Sequence, residues 1–489
     1  MATPQIRLGN RGQIQPITLE AVSTVDCYWY KRSMMSTVPD PTAVPRDLAD
    51  DIVDRSARGI AAAIGRSIRS GRLESGDRLP TVRDLAHRLG TSPTTVSEAW
   101  NILARTGVID ARGRQGTFVR DVQRPRGSVR YRAVTARPSR YMLDLSTGVP
   151  DPDLLPDPRR ALERISRRNL TTSYLDDPIL PALEDLLRRR WPFDPDVVTI
   201  VDGAMDALDR VIGCIARLGD RIAVENPGFP PILDLLEQLG LEALGVAVDD
   251  EGMVPDSLVA ALAHRPVAVL LQPRAHNPTG CSMTSSRMKR LAGLLKGTDT
   301  VVIEDDHSGD IAWAPDVSIG SHLPEQCVHI RSFSKSHGPD LRLAAVGGAG
   351  SIISQVVERR LLGPGWSSRL LQAVLLEMLR DPQTIETVAT ARVTYQERRD
   401  ALVARLDDRG IRTTCRDGIN LWMPVEDERA ALLTLASRGI GVAPGTPFQV
   451  DKDAAPHLRV TVGLVTDDVD RVADALLESV RGFAPSLRR

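Results

Sequence analysis

The sequence predicts an α/β protein in which a small helix-turn-helix unit precedes a large domain built on a mostly parallel sheet. Three observations support this prediction. The chain has 489 residues, which is too long for one hydrophobic core. Before residue 122, short amphipathic segments are separated by turns that contain glycine. After residue 140, apolar runs of strand length alternate with segments of helical period, which indicates parallel strands covered by helices.

Composition narrows the class of protein. Hydrophobic residues make up 42% and charged residues 26% of the chain, which is ordinary for a globular protein. No apolar stretch approaches the about 20 residues that cross a membrane, and the N-terminus lacks the apolar core of a signal peptide. The five cysteines are scattered without a CxxC pair, which argues against a disulfide framework or a zinc site. We therefore expect a soluble cytoplasmic protein with no membrane partner and no metal.

The net charge of −1 conceals a strongly basic stretch. Between Arg105 and Arg140 there are ten arginines and only two aspartates. Prolines and a glycine interrupt this stretch, and no helical or strand period is evident after about Val122. The pattern predicts a basic linker over residues 123–140. Two interpretations of its charge remain open: a solvated spacer, or a segment that adds affinity for the phosphates of a nucleic acid.

The segment before the linker has the spacing of a helix-turn-helix. Ile60, Ile64 and Ile68 recur every four residues and predict an amphipathic helix that ends at Gly71. A second short helix follows and is predicted to stop at Gly90, because glycine readily adopts the left-handed conformation that ends helices. In such a motif, the N-terminal residues of the next helix enter the major groove of DNA.

A third helix is predicted next, with Ser92 as its N-cap and Pro93 at its first position. Val96, Trp100 and Leu103 are expected to face inward, which leaves polar residues near the start of the helix facing outward. The run that follows, VIDARGRQGTFV, alternates into and out of a β-hairpin with a basic tip. A hairpin of this kind suits a phosphate backbone or a minor groove.

In this order, the helices, the hairpin and the motif G-x-L-x-x-G-x-x-LP-x-x-R-x-LA-x-x-LG resemble the winged-helix domain of the GntR family of bacterial transcription regulators. The resemblance implies a winged helix-turn-helix domain over residues 41–122 that binds double-stranded promoter DNA. Pro93 stands where the family commonly has an arginine, so part of the phosphate contact is expected from elsewhere. The DNA contacts implied by the resemblance come from Arg83, Thr94, Thr95, Ser97, Arg112 and Arg114.

In the large domain, the residues that suggest chemistry follow strand-like runs. Asn277 follows PVAVLLQP, Asp305 and His307 end TVVIEDDH, and Lys335 follows CVHIRS. Ligands of such sheets lie at the carboxyl ends of the strands. Lys335 is one of only five lysines among 62 basic residues, which indicates that an amine is needed there. Lysine forms a Schiff base with an aldehyde, and a carboxylate that keeps a pyridine nitrogen protonated makes pyridoxal an electron sink.

These residues together resemble the fold-type I aminotransferases, which use pyridoxal 5′-phosphate (PLP), over most of residues 141–489. The resemblance implies that Lys335 forms the internal aldimine, that Asp305 pairs with the ring nitrogen and that Asn277 hydrogen-bonds the ring hydroxyl. His307 stands where the family usually has tyrosine, so we do not expect efficient transamination. The other implied contacts are ring stacking by Phe229, phosphate binding by Gly203, Ala204, Met205, Ser332, Ser334 and Arg342, a contact from Tyr174 to the partner subunit's phosphate, and substrate carboxylate binding by Arg459.

A winged helix joined by a basic linker to an aminotransferase-like domain resembles the MocR/GabR-type branch of the GntR family. The resemblance implies head-to-tail homodimers, in which the domain over residues 141–489 binds PLP, senses a ligand and carries a smaller C-terminal α/β subdomain. Residues 1–40 fall outside the resemblance. They are either an N-terminal extension or the result of a translation start that really lies at Met34 or Met35.

Three functions remain open at this point. The first is a PLP-dependent transcription regulator that senses an amino acid, another amine or PLP itself. The second is an active PLP-dependent aminotransferase with an accessory DNA-binding domain. The third is a DNA-binding dimer whose former PLP site is only a scaffold. The winged helix favours the first over the second, and the presence of Lys335, Asp305 and Asn277 favours the first over the third. Structural roles also remain open, with Asp305 as a helix cap, Phe229 as a core residue and Arg459 as a surface charge.

Overall fold

The computed structural model of the chain describes residues 48–49, 52–69, 72–105, 108–111, 116–119, 128–135, 141–167, 173–413, 416–451 and 454–480. The chain divides into two compact units, with the boundary between Asp121 and Val122 and with residues 105–107 grouped with the second unit. The predicted extension over residues 1–40 lies outside the described residues. Among the described residues, no helix combines the length and the hydrophobicity that crossing a membrane requires.

The described part of the first unit contains three helices and a small antiparallel sheet. The second helix begins at the N-cap Thr81, whose hydroxyl accepts a hydrogen bond from the amide of Asp84, and ends at Gly90 with φ of 61°. The hydroxyl of Ser92 accepts a hydrogen bond from the amide of Thr95 at 3.1 Å, so the predicted stop and the predicted cap are both confirmed. The elements are α1 (Ala57–Arg69), β1 (Arg78–Leu79), α2 (Val82–Leu89), α3 (Pro93–Arg105), β2 (Ile109–Ala111) and β3 (Thr117–Val119).

The core of this unit confirms the predicted inner faces of its helices. Val96, Trp100 and Leu103 of α3 are buried against Ile60 and Ile64 of α1. The strands pair in the order β1-β3-β2, and β2 and β3 form the predicted hairpin. The tip of that hairpin, with two predicted DNA contacts, lies outside the described residues.

Residues 129–135 correct the prediction of a linker without helical period. They form a short helix, α4 (Val129–Thr135), which belongs to the second unit. Among the side chains that the structure describes in this helix, only Val134 is buried, which explains why its sequence shows no apolar period. The helix is instead stabilised by contacts with residues more than one hundred positions away, which local sequence patterns do not reveal.

The second unit is built on an eight-stranded sheet in the order β5-β12-β11-β10-β9-β6-β7-β8. The five strands from β11 to β7 run parallel, whereas β12 is antiparallel to both of its neighbours. This arrangement confirms the predicted α/β domain with a mostly parallel sheet. The strands are β5 (Val197–Val201), β6 (Arg221–Asn226), β7 (Glu242–Asp249), β8 (Gly252–Met253), β9 (Ala268–Leu271), β10 (Val301–Asp306), β11 (Cys327–Ser332) and β12 (Ala344–Gly348).

Helices cover both faces of this sheet, and their apolar sides form the core with the buried strands. They are α5 (Arg159–Ile165), α6 (Pro181–Arg189), α7 (Ala204–Ile215), α8 (Pro230–Gln238), α9 (Pro255–Leu262), α10 (Ser285–Leu295), α11 (Gly350–Leu361) and α12 (Arg369–Arg380). The long helix α13 (Pro382–Asp407) contacts α12 and also the last described helix, α15 (Val469–Val480).

A smaller sheet in the order β13-β15-β14-β4 packs with α14 and α15 around a second core. The predicted smaller α/β subdomain is therefore present, with one difference. Its strand β4 comes from the beginning of the second unit and pairs in parallel with β14. The elements are β4 (Leu143–Leu145), β13 (Leu421–Pro424), α14 (Glu428–Ser437), β14 (Ile440–Pro444), β15 (His457–Val460) and α15 (Val469–Val480).

Candidate functional site

The ends of three neighbouring strands bring the predicted cofactor residues to one edge of the large sheet. Strands β9, β10 and β11 are parallel and adjacent, and Asp305 of β10 lies opposite Ile330 of β11 in the ladder. The carboxyl ends of the three strands therefore meet, which places the segments with Asn277, His307 and Lys335 around one site.

Lys335 is the centre of this site. Its amine contacts Nδ1 of His307. Burial lowers the pKa of Lys335 to about 8. The positive charge of Arg459 also lowers this pKa, whereas the negative charge of Asp305 raises it. The amine is therefore unprotonated more often than that of an ordinary lysine, which is what a nucleophilic amine requires.

The two consecutive aspartates at the end of β10 have different roles. Arg274 donates a hydrogen bond to Asp306 at 2.6 Å, and the charges of Arg274 and Arg331 outweigh burial and lower the pKa of Asp306. Burial instead raises the pKa of Asp305 to about 6. One oxygen of Asp305 accepts a hydrogen bond from Nε2 of Gln272 at 2.8 Å, and the other has no hydrogen-bond partner among the described residues.

Two further buried atoms near Lys335 have no hydrogen-bond partner in the described part of the chain. They are Oδ1 of Asn277 and Nε2 of His307. Burial, followed by the charge of Lys335, lowers the pKa of His307 well below its ordinary value, so the imidazole is neutral. An unpartnered buried polar atom costs about 1–3 kcal/mol, so three of them around one amine indicate a polar ligand. PLP, with a ring nitrogen, a ring hydroxyl and an aldehyde, fits this set.

The predicted phosphate residues also come together. Gly203 is the N-cap of α7 with φ of 101°, and the first amides of that helix, from Ala204 onward, have no acceptor within the helix. A Cβ on Gly203 would lie 3.5 Å from the guanidinium of Arg342. Ser332 of β11 pairs with Ala344 of β12, and Ala344 pairs in turn with Val201 of β5. Val201 lies just before the start of α7. The remaining members of this group are Met205, in the first turn of α7, and Ser334, whose amide donates to the Ser332 hydroxyl at 3.3 Å.

Arg459 is buried on β15 with only 2% of its surface exposed, which excludes the alternative of a surface charge. Its guanidinium donates to the carbonyl of Ser146 and lies 5.4 Å from the ring centre of Phe448. Burial lowers the pKa of Arg459 to about 10. Its Nε has no hydrogen-bond partner among the residues described, so a donor remains for an anionic group.

The two predicted aromatic contacts lie in different surroundings. Phe229 is half-buried at the N-cap of α8 and packs against the core of the large sheet, so ring stacking and core packing both remain compatible with its position. Tyr174 is 88% exposed, and its ring centre lies 5.8 Å from that of Trp366. Its predicted contact with a partner subunit stays a prediction.

Sequence reasoning missed the residues behind Asp305. The side-chain oxygen of Gln272 accepts a hydrogen bond from the backbone amide of Asn277 at 2.8 Å. This bond orients the side-chain NH2 of Gln272 toward Asp305. The backbone amide of Gln272 donates to buried Glu225 at 2.8 Å. Nε2 of His276 lies 3.3 Å from the same carboxylate, which outweighs burial and raises the pKa of His276 to about 10. The sequence feature that could have indicated this role is the position of Gln272, a polar residue directly after the apolar strand β9.

The predicted DNA-binding residues of the first unit lie at its surface. Thr94 and Ser97 are exposed in the first turns of α3, and Arg83 is exposed near the start of α2. Thr95 is half-buried, and its hydroxyl lies 2.8 Å from that of Ser92, so it also stabilises the helix start. The two predicted contacts of the hairpin tip, Arg112 and Arg114, lie outside the described residues.

Comparison with known proteins gives the family. The bacterial regulatory proteins of the gntR family match residues 56–119, and the class I and II aminotransferases match residues 140–476. The vitamin B6 salvage pathway transcriptional repressor PtsJ of Salmonella typhimurium is 35% identical over 84% of this chain and 95% of its own length. The chain belongs to the MocR/GabR-type branch of the GntR family. As a member of this branch, it is a transcription regulator with an aminotransferase-like PLP domain.

Further relatives of this MocR-type regulator are more distant. The pyridoxine biosynthesis transcriptional regulator PdxR of Corynebacterium glutamicum is 29% identical over 62% of this chain and 65% of its own length. Among solved structures, the α-aminoadipate aminotransferase LysN of Thermus thermophilus has a TM-score of 0.63 and 22% identity, over 71% of this chain and 93% of its own. The latter likeness shows the fold-type I aminotransferase fold and nothing about activity.

Proposed function

We propose that this MocR-type regulator binds PLP covalently at Lys335 and alters its binding to promoter DNA in response. The observation that carries this proposal is the set of three buried atoms without hydrogen-bond partners around the Lys335 amine. They belong to Asp305, Asn277 and His307, the residues that the resemblance assigns to the ring. No described side chain uses these atoms, so a ligand with complementary polar groups accounts for them.

The residues of the site would hold PLP through ordinary physical chemistry. When bound, PLP supplies an aldehyde that condenses reversibly with primary amines. Lys335 offers an amine with a lowered pKa, and Asp305 is ionised at neutral pH, so it stabilises a proton on the ring nitrogen. The side-chain amide of Asn277 would hydrogen-bond the ring hydroxyl. Gly203 and the amides that follow it bind the phosphate, together with Arg342.

We propose that PLP is itself the effector and that the regulated genes serve vitamin B6 metabolism. The support comes from the named roles of two relatives, the salvage pathway repressor PtsJ and the pyridoxine biosynthesis regulator PdxR. The test uses the full-length protein to select fragments of genomic DNA and measures the Kd of the selected duplex with and without PLP. An affinity that does not change with PLP, although PLP binds, would contradict this proposal.

An amino-acid effector is the second candidate, and the observation that favours it is buried Arg459 with its unpartnered Nε. A guanidinium in this position suits a carboxylate. In this case, an amine reacts at the PLP site while Arg459 binds its carboxylate. The variant Arg459→Ala separates the candidates, because it abolishes a response to amino acids and leaves a response to PLP intact.

We propose that the site exchanges amines but turns over little substrate. Transamination needs the released lysine to move a proton at the substrate carbon, within a firmly held ring. Here His307 stands where the family usually has a tyrosine that contacts the ring hydroxyl, and its neutral imidazole contacts the Lys335 amine. Amines should therefore change the visible spectrum and the DNA affinity, with little keto acid formed. We further propose a head-to-tail homodimer as the DNA-binding form.

A further inference from the structure

The short helix α4 is attached to α8 through its first turn. The backbone amides of Arg130 and Tyr131 donate hydrogen bonds to the two carboxylate oxygens of Asp234, at 3.1 and 2.9 Å. Asp234 is a buried residue of α8. The guanidinium of Arg130 also donates to the carbonyl of Gln449 at 2.7 Å. One carboxylate thus satisfies two amides that a helix leaves without acceptors at its N-terminus.

The same helix buries one apolar side chain. Val134 packs with Trp422, Ala443 and Phe448, and all four side chains are buried. An isolated helix of seven residues is unstable in water, because helices shorter than about 12 residues are marginal even with favourable sequences. The helical state of α4 therefore depends on this docking surface, which we define as Asp234, Gln449, Trp422, Ala443 and Phe448.

The docking surface continues into the candidate PLP site by two routes. The first runs along α8, because the N-cap of this helix is Phe229, the predicted ring-stacking residue. The second runs through Phe448, whose ring packs against the Arg459 guanidinium. The carbonyl of Phe448 also accepts a hydrogen bond from the amide of Gly228 at 2.8 Å, which connects the two routes.

We propose that α4 is the element that couples the PLP site to the DNA-binding domain, by docking more tightly when the site is occupied. PLP that packs on Phe229 orders the first route, and so it stabilises the surface that holds α4. A carboxylate that pairs with Arg459 would order the second route as well. This inference rests on the proposed function, because it requires a ligand at that site. Asp234 and Val134 act here as positioning residues, at a distance from the ligand.

The position of α4 in the chain explains how docking would affect DNA binding. Nine residues separate the end of β3 from the start of α4, which limits the reach of the DNA-binding domain to about 30 Å when α4 is docked. When α4 is released, 23 residues separate β3 from β4, and the reach grows to about 80 Å. A shorter connection restricts where two DNA-binding domains of a dimer can bind and raises their effective concentration at matching half-sites.

Hydrogen exchange of the full-length protein, followed by mass spectrometry, tests docking directly. In the wild type, PLP should slow exchange of the peptide that contains residues 128–135, by about 5-fold or more if coupling has a typical strength. Asp234→Ala should speed this exchange in the presence of PLP, and Val134→Ala should do the same through the apolar contact. Glu237→Ala is the matched control, because Glu237 is an exposed carboxylate on the same helix.

The coupling itself is measured as the ratio of DNA Kd values without and with PLP. In Asp234→Ala and Val134→Ala this ratio should fall toward 1, while the absorbance of bound PLP stays as in the wild type and in Glu237→Ala. Asp234→Asn keeps the size of the side chain but replaces one acceptor with a donor, so it gives the same test if the alanine variant folds poorly.

The outcomes separate this inference from the proposed function. A wild-type ratio of 1 would contradict the proposed function, and the inference with it. A wild-type ratio different from 1 that persists in both α4 variants, although their exchange shows α4 released, would overturn only the inference. Unchanged exchange of residues 128–135 on adding PLP, with an intact DNA response, would also overturn it.

Discussion

At the scale of single residues, burial moves three pKa values around the same amine. It lowers the pKa of Lys335 to about 8, raises that of Asp305 to about 6, and lowers that of His307 well below its ordinary value. The common cause is removal from water, which disfavours the charged form of each group. The result at neutral pH is a neutral imidazole beside an amine that loses its proton easily. Of the three shifts, that of Lys335 favours capture of an aldehyde, because it increases the fraction of unprotonated amine.

The pH dependence of PLP incorporation tests the Lys335 pKa. The unprotonated amine attacks the aldehyde, so the rate into PLP-free protein should rise with pH and level off above about pH 8 to 9. With a pKa of about 8, roughly one tenth of the amine is reactive at pH 7, compared with far less than one per cent for an ordinary lysine. The measurement is the visible absorbance of bound PLP over time.

Borohydride reduction and peptide mapping provide the control for this prediction. The pyridoxyl label should lie on Lys335, and Lys335→Ala should remain folded and colourless. A rate that keeps rising to pH 10, or a label on another lysine, would show that the amine in this site is an ordinary one.

We expect Asp305 to contribute to ligand binding and to lower the free energy of unfolding of the protein without ligand. Because its folded pKa is raised, the native state resists losing this proton, and stability falls as pH rises from about 4 to about 6. Asp305→Asn removes this loss. Without PLP, the free energy of unfolding of the variant minus that of the wild type should increase by about 1 kcal/mol when the pH is raised from 5 to 8. Thermal unfolding of both proteins at the two pH values measures this, and PLP affinity of the variant should fall.

At the scale of elements, the N-terminus of α7 depends on one glycine. Gly203 has φ of 101° and ψ of 166°, a region that only glycine adopts easily, at a cost of about 1–3 kcal/mol for other residues. A Cβ there would lie 3.5 Å from the Arg342 guanidinium, which is an ordinary contact, so the backbone conformation causes the expected cost. Gly203→Ala should therefore lower the free energy of unfolding by this amount and weaken PLP binding. Ala204→Gly, one residue later, is the control, since it creates no contact with Arg342.

Helices α2 and α3 of the first unit carry the residues for the DNA prediction. Ser97→Ala and Arg83→Ala should weaken binding to the selected duplex more than to a scrambled one, because a good base contact contributes about 1–3 kcal/mol of discrimination. Thr95→Ala should also lower the stability of the first unit, since its hydroxyl contacts Ser92. Fluorescence anisotropy at several salt concentrations separates base contacts from phosphate contacts. Equal weakening on both duplexes would assign Arg83 to the phosphate backbone.

Elements with a local signature could be predicted from the sequence, and those that depend on distant partners could not. Strands β5, β6 and β9 to β12 were recognisable because strands buried on both faces are continuous apolar runs, and Gly90 and Ser92 marked helix ends. Helix α4 was missed because its helical state depends on Asp234 and not on its own residues. Strand β4 was missed because three residues, paired with a strand from the other end of the domain, show no period.

The candidate site divides in the same way. Lys335, Asp305 and Asn277 follow strand-like runs, so the expectation that ligands lie at strand ends located them. Gln272 was not found, because its role is to orient the carboxylate of Asp305, and such support becomes visible only when two loops meet in space.

At the scale of the whole molecule, Tyr174 offers a test of the head-to-tail dimer. In a single chain it is 88% exposed, and its proposed partner is the phosphate bound by the other subunit. Tyr174→Ala should weaken PLP binding while sedimentation shows an unchanged dimer. A heterodimer of one Lys335→Ala chain and one Tyr174→Ala chain should regain one site of wild-type affinity. If both sites of this heterodimer remain weak, Tyr174 does not act across the dimer.

The insertion of β12 between β5 and β11 has a consequence for the lifetime of the protein. The loop that carries Lys335 joins β11 to β12, and β12 must pair with a strand about 140 residues earlier before that loop takes its final form. The proposed PLP site therefore forms only in the completed sheet, and a ligand at 100 times its Kd would add about 2.7 kcal/mol to the stability of that state. A chain made when the vitamin is scarce would open more often and meet proteases more often. Vitamin supply would then set how many copies of the regulator a cell keeps, in addition to how tightly each copy binds its promoter.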